Sequence, residues 1–340
     1  MPNIFALSDF VARILLSILP FRISNRIKEN TSPLEVFVLR SKTKKCNEPR
    51  MTLFEGVFAT ILFDLALFGT SNPIINGIIS LFTTIQNSWD APFKNGREAE
   101  EKIRDFCNRL DIQQNPWVWE KQPRDYSSLN DFFSRTYASE NFPAIGNGRL
   151  VSPACCKILT FNDDNCMKSI LIKGCNYQLE KVGLPSSDLE AYRKNRVYLG
   201  YLSPKDYHRV HAPISGKCIY CKMEGENVES ASVKFFGGKF NLLNENKRLV
   251  IVLENDKESD DEPLRVGLVI VGGVGVNTIT YDKSMVGKDF FKGDELSAFR
   301  AGGSAFALFS TKPLGVVEPL INAGESQMHV EVLIGETLAQ

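Results

Sequence analysis

The sequence predicts an α+β protein in which a helical N-terminal region precedes a β-rich domain. Apolar stripes at helical spacing, with capping residues at their starts, make residues 1–140 mainly helical. From about Val151 the pattern changes to short β-rich runs that alternate with glycine and proline. We therefore expect a helical region over 1–126 and a β-rich domain over 127–340.

Four helices are predicted within the first 140 residues. A capping box that begins at Thr52 precedes an apolar stripe that stops at Gly69, and a second stripe follows from Asn72. Two such stripes joined by a short turn indicate a helical hairpin. A charged helix is expected over 97–110, and a short serine-capped helix within 127–137.

Nine β-rich runs are predicted in the second part. An acidic loop over 254–263 interrupts them and is expected at the exposed tip of a hairpin. Short apolar runs between turn residues are typical of strands in a β-rich domain. The runs are KILTF, SILIKG, RVYLGYL, KCIYCKM, RLVIVL, RVGLVIVGG, VNTITY, SAFALF and HVEVLI.

Charge and cysteine usage exclude some classes of protein. Forty basic residues balance forty acidic ones, so the chain lacks the basic surface of a nucleic-acid-binding protein and no nucleic-acid partner is expected. The eight cysteines are scattered along 340 residues, which favours a reducing, intracellular compartment. Cys218 and Cys221, with the Cys155–Cys156 pair, could form a four-thiolate site. The first two lie in a strand-like stretch without a knuckle glycine, so no metal is predicted.

The N-terminal segment over 4–23 is apolar, with Arg13 and Arg22 against a single acidic residue, Asp9. No stretch of the chain reaches 18 uninterrupted apolar residues, so no membrane span is predicted. The segment fits a targeting or interfacial membrane helix. A helix packed on its own domain explains the pattern equally well, and both interpretations stay open.

Only three histidines occur in the chain, so few residues could act as an imidazole acid or base. Two of them, His208 and His211, lie within YLSPKDYHRVHAPISG (201–216). In a helix this spacing would put both rings on one face, whereas in an extended segment they would point differently. Their clustering favours a functional role over surface polarity or a metal pair.

A glycine pair precedes a serine at the start of an apolar run, in the sequence Gly302-Gly303-Ser304. The absence of Cβ atoms leaves this backbone uncrowded and lets another group approach the carbonyl of Gly303. Taken alone, the pattern indicates a glycine turn that leads into a buried strand. Other parts of the chain have to decide whether Ser304 is reactive.

Four motifs in order resemble the phosphatidylserine decarboxylase family, whose members are pyruvoyl-dependent decarboxylases that cut themselves. The likeness covers roughly residues 127–337. Four separate motifs in the family's own order are far more specific than any one of them. They are SLNDFFSRTYASENFPAIGNGRLVSPACCKI (128–158), ILIKGCNYQLEKVG (170–183), YLSPKDYHRVHAP (201–213) and FKGDELSAFRAGGS (291–304).

The resemblance implies that Ser304 attacks the carbonyl of the Gly303–Ser304 peptide and turns the amide into an ester. Elimination then releases residues 1–303 as a β chain and leaves dehydroalanine, which hydrolyses to a pyruvoyl group with loss of ammonia. The α chain would hold 37 residues, 304–340. An uncrowded peptide with an accessible carbonyl suits this attack.

The resemblance also implies roles for the two histidines. His211 matches the base of the self-cleavage, by the logic of a serine activated by an imidazole. His208 matches the group that protonates the carbanion left by departing CO2, for which the pyruvoyl group from Ser304 acts as electron sink. A neutral imidazole near pH 7 suits both tasks.

The chain departs from the family at Cys155, where the family's VSPAD element supplies an aspartate that orients the cleavage histidine. Losing such a carboxylate costs on the order of 10⁴ in rate in a serine triad. A Cys155 thiolate beside an imidazolium, or Asp163 or Asp164 from the following loop, would partly replace it. Two interpretations therefore remain: an active decarboxylase, or a non-cleaving relative that binds lipid or a partner.

Partners follow from the active interpretation. A carboxy-lyase of this family implies phosphatidylserine or a free amino acid as substrate, and a phospholipid substrate implies a membrane surface. We expect an intracellular, membrane-associated protein, with the organelle undetermined. Its own α and β chains would stay together after cleavage, and a homodimer is the default expectation.

Overall fold

The computed structural model describes most of the second part of the chain. The described residues are 33–39, 43–49, 89–110, 112, 118–161, 170–172, 175–203, 205–225, 242–255, 262–272, 279–300, 304–325 and 329–340. The predicted hairpin that begins at Thr52 and the glycine pair before Ser304 lie outside them. The chain divides into two compact units, and nearly all of the described residues belong to the second. The units are Met1–Glu35 with Lys45–Ala91, and Val36–Lys44 with Pro92–Gln340.

Helices are few and short in the described residues, apart from the first. That helix, α1, confirms the charged helix predicted over 97–110 and buries Ala99, Ile103 and Phe106 along one face. The second, α2, is capped by Ser128, whose Oγ accepts from Asp131 N at 3.1 Å, as the serine-capped prediction requires. The helices are α1 (Gly96–Leu110), α2 (Leu129–Phe133), α3 (Leu189–Arg193), α4 (Leu242–Glu245) and α5 (Glu318–Glu325).

Seventeen described strands accompany these helices, and each of the nine predicted runs overlaps one of them. The predicted α+β class with a β-rich domain is confirmed. The strands are β1 (Pro33–Val38), β2 (Thr43–Pro49), β3 (Leu150–Val151), β4 (Cys156–Phe161), β5 (Ile170–Ile172), β6 (Cys175–Tyr177), β7 (Val197–Leu202), β8 (Arg209–His211), β9 (Gly216–Glu224), β10 (Arg248–Asn255), β11 (Leu264–Gly272), β12 (Ile279–Tyr281), β13 (Asp289–Phe290), β14 (Glu295–Phe299), β15 (Ser304–Ser310), β16 (His329–Val332) and β17 (Thr337–Ala339).

Ten of these strands make one sheet, in the order β13-β9-β10-β11-β15-β7-β4-β16-β1-β2. Its described neighbours from β13 to β16 are antiparallel, whereas β1 runs parallel to β16. Smaller sheets pair β14 with both β12 and β8, β17 with β3, and β5 with β6. The antiparallel pair β10 and β11 is the hairpin that was predicted around the acidic loop.

Two strands, β1 and β2, lie within the N-terminal stretch that the sequence predicts as mainly helical, and the sequence predicts no strand there. The segment PLEVFV forms β1 because it pairs with β16, with Val36 opposite His329 and Val38 opposite Glu331. Strand formation depends on such distant partners more than on local preference. The local pattern therefore gave no sign of it.

Strand β15 lies inside the large sheet, between β11 and β7. All seven of its residues are buried. In register, Ser304 stands opposite Leu202 on one side and Gly272 on the other. The serine at the end of the fourth motif is therefore the first residue of a central strand.

Gly200 on β7 is the clearest packing constraint near β15. It stands opposite Phe306, and a Cβ at position 200 would overlap the buried Phe306 ring. We expect Gly200→Ala to lower the free energy of unfolding by about 1–3 kcal/mol, because the ring has no space to move into. Urea unfolding of the full chain would measure the change.

Gly315→Ala is the matched control for Gly200→Ala. A Cβ at position 315 would meet its nearest neighbour, the carbonyl oxygen of Gln340, at 3.6 Å, an ordinary contact. We expect that substitution to change stability by less than about 0.5 kcal/mol. Equal effects of the two substitutions would contradict the packing argument.

Candidate active site

The sheet register brings Ser304 next to His208. Strand β7 ends at Leu202, opposite Ser304, and the chain then turns over 203–206 and returns into β8. His208, just before β8, is fully buried, and its Nδ1 lies 3.2 Å from Ser304 Oγ. The serine and one of the two predicted histidines are thus in direct contact.

The hydrogen bonds of His208 determine its tautomer. Its Nε2 lies 2.9 Å from the carbonyl oxygen of Ser203, which can only accept, so Nε2 carries the proton. In the neutral ring Nδ1 then has a free lone pair, and it accepts from the Ser304 hydroxyl. This arrangement prepares His208 to take the proton of Ser304.

The surroundings of His208 keep it neutral. The Phe133 ring stacks on the imidazole at 3.8 Å between centroids, and the edge of Phe299 approaches at 6.5 Å. Burial lowers the pKa of His208 well below its ordinary value, and the positive charge of Arg135 acts in the same direction. The hydrogen bond to Ser203 opposes both effects. A neutral imidazole at pH 7 is the form that a base requires.

Arg135 is a buried cation without a carboxylate partner among the described residues. Its Nη2 donates to the carbonyl oxygens of Lys205 at 2.8 Å and Asp206 at 3.0 Å. Its Nη1 lies 3.5 Å from the last carbonyl oxygens of α2, and the guanidinium lies over the Trp119 ring at 4.5 Å. Arg135 therefore ties α2 to the turn that precedes His208.

The second predicted histidine, His211, points to a different set of partners. Its Nδ1 donates to the carbonyl oxygen of Gly293 at 2.7 Å, so Nε2 is the acceptor and accepts a hydrogen bond from the Tyr207 hydroxyl at 3.1 Å. Burial lowers the pKa of His211 as well. His211 belongs to an extended strand, in which side chains three positions apart do not share a face.

Cys155 is buried, and its hydrogen-bond partners do not include either histidine. Its Sγ lies 3.6 Å from the Tyr137 hydroxyl and accepts from Ile334 N at 3.5 Å, and among the described residues these are its polar partners. Burial raises the pKa of the thiol to about 11, so it stays protonated near pH 7. This environment disfavours a Cys155 thiolate as the replacement for the missing charge. Asp163 and Asp164 lie outside the described residues.

Two tyrosines connect the surroundings of Cys155 with His211. The rings of Tyr137 and Tyr207 contact each other at 4.7 Å between centroids. Burial raises the pKa of both phenols, so both stay protonated and able to donate. A phenol, Tyr207, thus occupies the Nε2 side of His211.

Sequence reasoning missed Tyr207, Tyr137 and Arg135 as parts of this site. Arginine is rarely buried, so nothing local marked Arg135. One signal was available in Ser-Pro-Lys-Asp at 203–206, since serine first and proline second in a four-residue segment favour a turn. That turn supplies the carbonyl which holds His208.

The comparisons with known proteins identify the family of the chain. The model of the family described as phosphatidylserine decarboxylase matches residues 129–340, well over half of the chain. The chain belongs to the phosphatidylserine decarboxylase family. The membership confirms the resemblance drawn from four motifs and the predicted class of enzyme, a carboxy-lyase.

Relatives in this phosphatidylserine decarboxylase family come from bacteria and a yeast. The phosphatidylserine decarboxylase proenzyme of Fusobacterium nucleatum is 28% identical over 70% of this chain and 78% of its own length. That of Chlamydia pneumoniae is 27% identical over 81% and 86%. The phosphatidylserine decarboxylase proenzyme 3 of Schizosaccharomyces pombe is 25% identical over 92% of this chain and 32% of its own length.

Among the described residues, no helix has both the length and the apolar character needed to cross a membrane.

Proposed function

We propose that the chain is a proenzyme that cuts itself between Gly303 and Ser304 and then decarboxylates phosphatidylserine. One observation carries the proposal: the hydroxyl of Ser304 lies 3.2 Å from a neutral His208 nitrogen whose lone pair faces it. A serine held against an imidazole base is the arrangement that activates this weak nucleophile. The printed names of the relatives, which are proenzymes, support the same function.

The proposed cut begins when His208 takes the Ser304 hydroxyl proton and Oγ attacks the carbonyl carbon of Gly303. The C–N bond breaks, the proton passes to the freed amine, and an ester remains. Loss of the Ser304 Cα proton then expels the Gly303 carboxylate and leaves dehydroalanine. One water replaces the nitrogen, and ammonia leaves. The products are residues 1–303 with a free carboxylate and residues 304–340 with a pyruvoyl group at the start.

The residues around Ser304 suit a pyruvoyl group formed there. The position is fully buried at the start of a central strand, and Phe133 and Phe299 keep water from the neighbouring imidazole. Once formed, the group supplies an electron sink for the pair left when a substrate loses CO2. His208 is the ionisable side chain in contact with this position, so we assign to it the proton that the product receives.

Two histidines, His208 and His211, are candidates for the base of the self-cleavage. The family resemblance assigns that role to His211, which stays a prediction. The contacts of the uncut chain favour His208, because the His211 lone pair already accepts from Tyr207. We therefore propose His208 as the base of the cut and as the proton donor of the decarboxylation.

A second candidate function rests on Cys155. A protonated thiol at the position of the family's aspartate, bonded to Tyr137, provides no negative charge for either histidine. This observation favours a non-cleaving relative that binds lipid or a partner. Ser304 and His208, still in contact, favour the enzyme.

Self-processing is tested on the purified full chain by denaturing electrophoresis and intact mass. We expect a 303-residue fragment and a 37-residue fragment whose N-terminus is blocked and lacks the serine nitrogen. Vesicles of phosphatidylcholine with phosphatidylserine should then yield phosphatidylethanolamine and CO2, whereas free serine and free aromatic amino acids should not react. Ser304→Ala, which removes the nucleophile, should abolish both reactions. A wild-type chain still uncut at 38.1 kDa after prolonged incubation would overturn the proposal.

Cys155→Asp separates the two assignments of the base. The introduced carboxylate would accept from Ile334 N–H and the Tyr137 hydroxyl, the present partners of the thiol, and would not touch His208. If His208 is the base, we expect the variant to cut at a rate within about threefold of the wild-type rate. That change is far smaller than the rate factor of about 10⁴ that a triad carboxylate contributes. Cys155→Ser is the uncharged control. A large acceleration in the aspartate variant alone would return the role to His211.

A further inference from the structure

We propose that Asp206 is the positioning residue for His208, and that it acts through the carbonyl of Ser203. In this chain it does the work that a carboxylate in direct contact with the histidine does in a serine triad. The inference rests on the proposed function, because a correctly held His208 is what the self-cleavage needs. It concerns a turn, 203–206, that lies between β7 and β8.

The turn is closed by three hydrogen bonds between Ser203 and Asp206. The Asp206 carboxylate oxygen Oδ2 accepts from the Ser203 backbone N–H and from its hydroxyl, each at 2.6 Å. In the other direction, Asp206 N–H donates to the Ser203 carbonyl oxygen at 2.8 Å. The same carbonyl oxygen then accepts from His208 Nε2 at 2.9 Å. Asp206 thus holds Ser203 at its N–H, its hydroxyl and its carbonyl oxygen, and that carbonyl oxygen selects the His208 tautomer.

Arg135 fixes the same turn from outside. Its donation to the carbonyl oxygens of Lys205 and Asp206 links the turn to the end of α2, where Phe133 stacks on His208. Stacking on Phe133 therefore fixes the orientation of the His208 ring. The hydrogen bond to the Ser203 carbonyl fixes which nitrogen carries the proton. Only the second of these depends on Asp206.

Without the Asp206 carboxylate, Ser203 loses the acceptor of its N–H and of its hydroxyl and keeps only the backbone hydrogen bond from Asp206 N–H. We expect the Ser203 carbonyl to shift and the Nε2 proton to be held less firmly. The His208 proton would then be shared between Nδ1 and Nε2. A proton on Nδ1 points at Ser304 and blocks the transfer, which is the error that removes most of the activity when a triad aspartate becomes asparagine. Because the acceptor here is a neutral carbonyl, we expect a smaller loss, on the order of 10- to 100-fold in the rate of the cut.

The chain contains a matched counterpart of this device at 291–294. Asp294 Oδ2 accepts from Phe291 N–H at 2.7 Å, and Asp294 N–H donates to the Phe291 carbonyl at 3.0 Å. The carbonyl of Gly293 in that turn accepts from His211 Nδ1. Asp294 therefore closes a turn of the same kind that holds the other histidine, and Asp294→Ala is a control for the loss of a turn-closing carboxylate.

The first readout is the tautomer of His208, followed by ¹⁵N resonances of histidine-labelled full chain in the uncut Ser304→Ala background. Only three histidines occur, so His208→Gln assigns the signal. We expect Nε2 protonated and Nδ1 free in the parent and in the Asp294→Ala variant. In the Asp206→Ala variant we expect both nitrogens partly protonated, with Asp206→Asn restoring the parent pattern because its amide oxygen still accepts.

The second readout is the rate of the cut in full-length chains made by pulse labelling, with Ser304 intact. We expect Asp206→Ala to slow the cut about 10- to 100-fold and Asp206→Asn to recover most of the rate. An unchanged His208 tautomer in Asp206→Ala would overturn the inference. So would equal slowing by Asp206→Ala and Asp294→Ala with equal losses of stability in urea. If no chain cuts, the proposed function fails, while the tautomer measurement still decides the role of Asp206.

Discussion

Replacing His208 by glutamine should leave the chain almost entirely uncut under conditions in which the wild-type chain cuts itself. Glutamine fills a similar volume but has no basic nitrogen to take the Ser304 proton at 3.2 Å. A positioned base contributes about 10²–10⁴-fold, and we expect a loss of that size in the rate of the cut. Pulse labelling followed by electrophoresis measures it.

His211→Gln is the matched control for His208→Gln, because both rings are buried and both donate to a backbone carbonyl. We expect it to slow the cut by less than about tenfold, since its loss removes one buried hydrogen-bond partner of Tyr207 and no partner of Ser304. The reverse order of the two variants would assign the base to His211, as the family resemblance implies.

The pH dependence of the cut gives a further check on His208. An ordinary histidine is half protonated near pH 6.5, so a reaction that needs it neutral would slow below that pH. Burial and Arg135 hold the pKa of His208 well below this value, which keeps the ring neutral in more acidic solution. We expect the rate constant to stay level from about pH 8 down to about pH 6. A fall centred on pH 6.5 would contradict this environment.

Arg135→Met should be the most destabilising substitution in the site. It removes the donor to the carbonyl oxygens of Lys205 and Asp206 and leaves both without it in a part-buried position. Leaving a buried acceptor unpaired costs about 1–3 kcal/mol, so we expect the free energy of unfolding to fall by about 2–4 kcal/mol. Urea unfolding in the uncut Ser304→Ala background measures the change on a single chain.

Arg124→Met is the control for Arg135→Met, since the Arg124 side chain is 67% exposed and its nearest carboxylate lies at 3.9 Å. We expect less than about 0.5 kcal/mol from it. Equal changes in the two variants would contradict a structural role for the buried guanidinium.

Loss of Arg135 should also weaken the pH dependence of stability. In the folded protein His208 stays unprotonated, whereas in the unfolded chain it binds a proton below about pH 6.5. The free energy of unfolding therefore falls as the pH falls below that value. Without the positive charge of Arg135, the pKa of folded His208 rises towards its ordinary value. The loss of stability on acidification is then expected to be smaller.

The sequence predicted the strands of the β-rich domain because each run carries its own signal of apolar residues between turn formers. It did not predict β1, whose strand character comes from pairing with β16, almost 300 residues away. It predicted Ser304, His208 and His211 as site residues through motifs. It did not show which histidine touches Ser304, because the path of the 203–206 turn decides that contact.

The roles of Cys155, Tyr207 and Arg135 depended on burial and on partners that no local pattern contains. The thiol is uncharged because it is buried beside Tyr137, and Tyr207 reaches His211 because of the turn before β8. Arg135 has no carboxylate partner among the described residues. Such contacts follow from the whole fold, and spacing along the chain does not reveal them.

The place of β15 between β11 and β7 has a consequence for the life history of the protein. The proposed cut falls at the first residue of β15, so the sheet must assemble while the polypeptide is continuous. After the cut, the 37-residue piece would still be held in the sheet, because its strand β15 is hydrogen-bonded to β11 on one edge and to β7 on the other. If heat or denaturant ever pulled the two pieces apart, recovery would require a bimolecular encounter in place of intramolecular closure. The stability of the mature form would therefore be kinetic: it would depend on a slow rate of unfolding and not on reversible refolding of the two pieces.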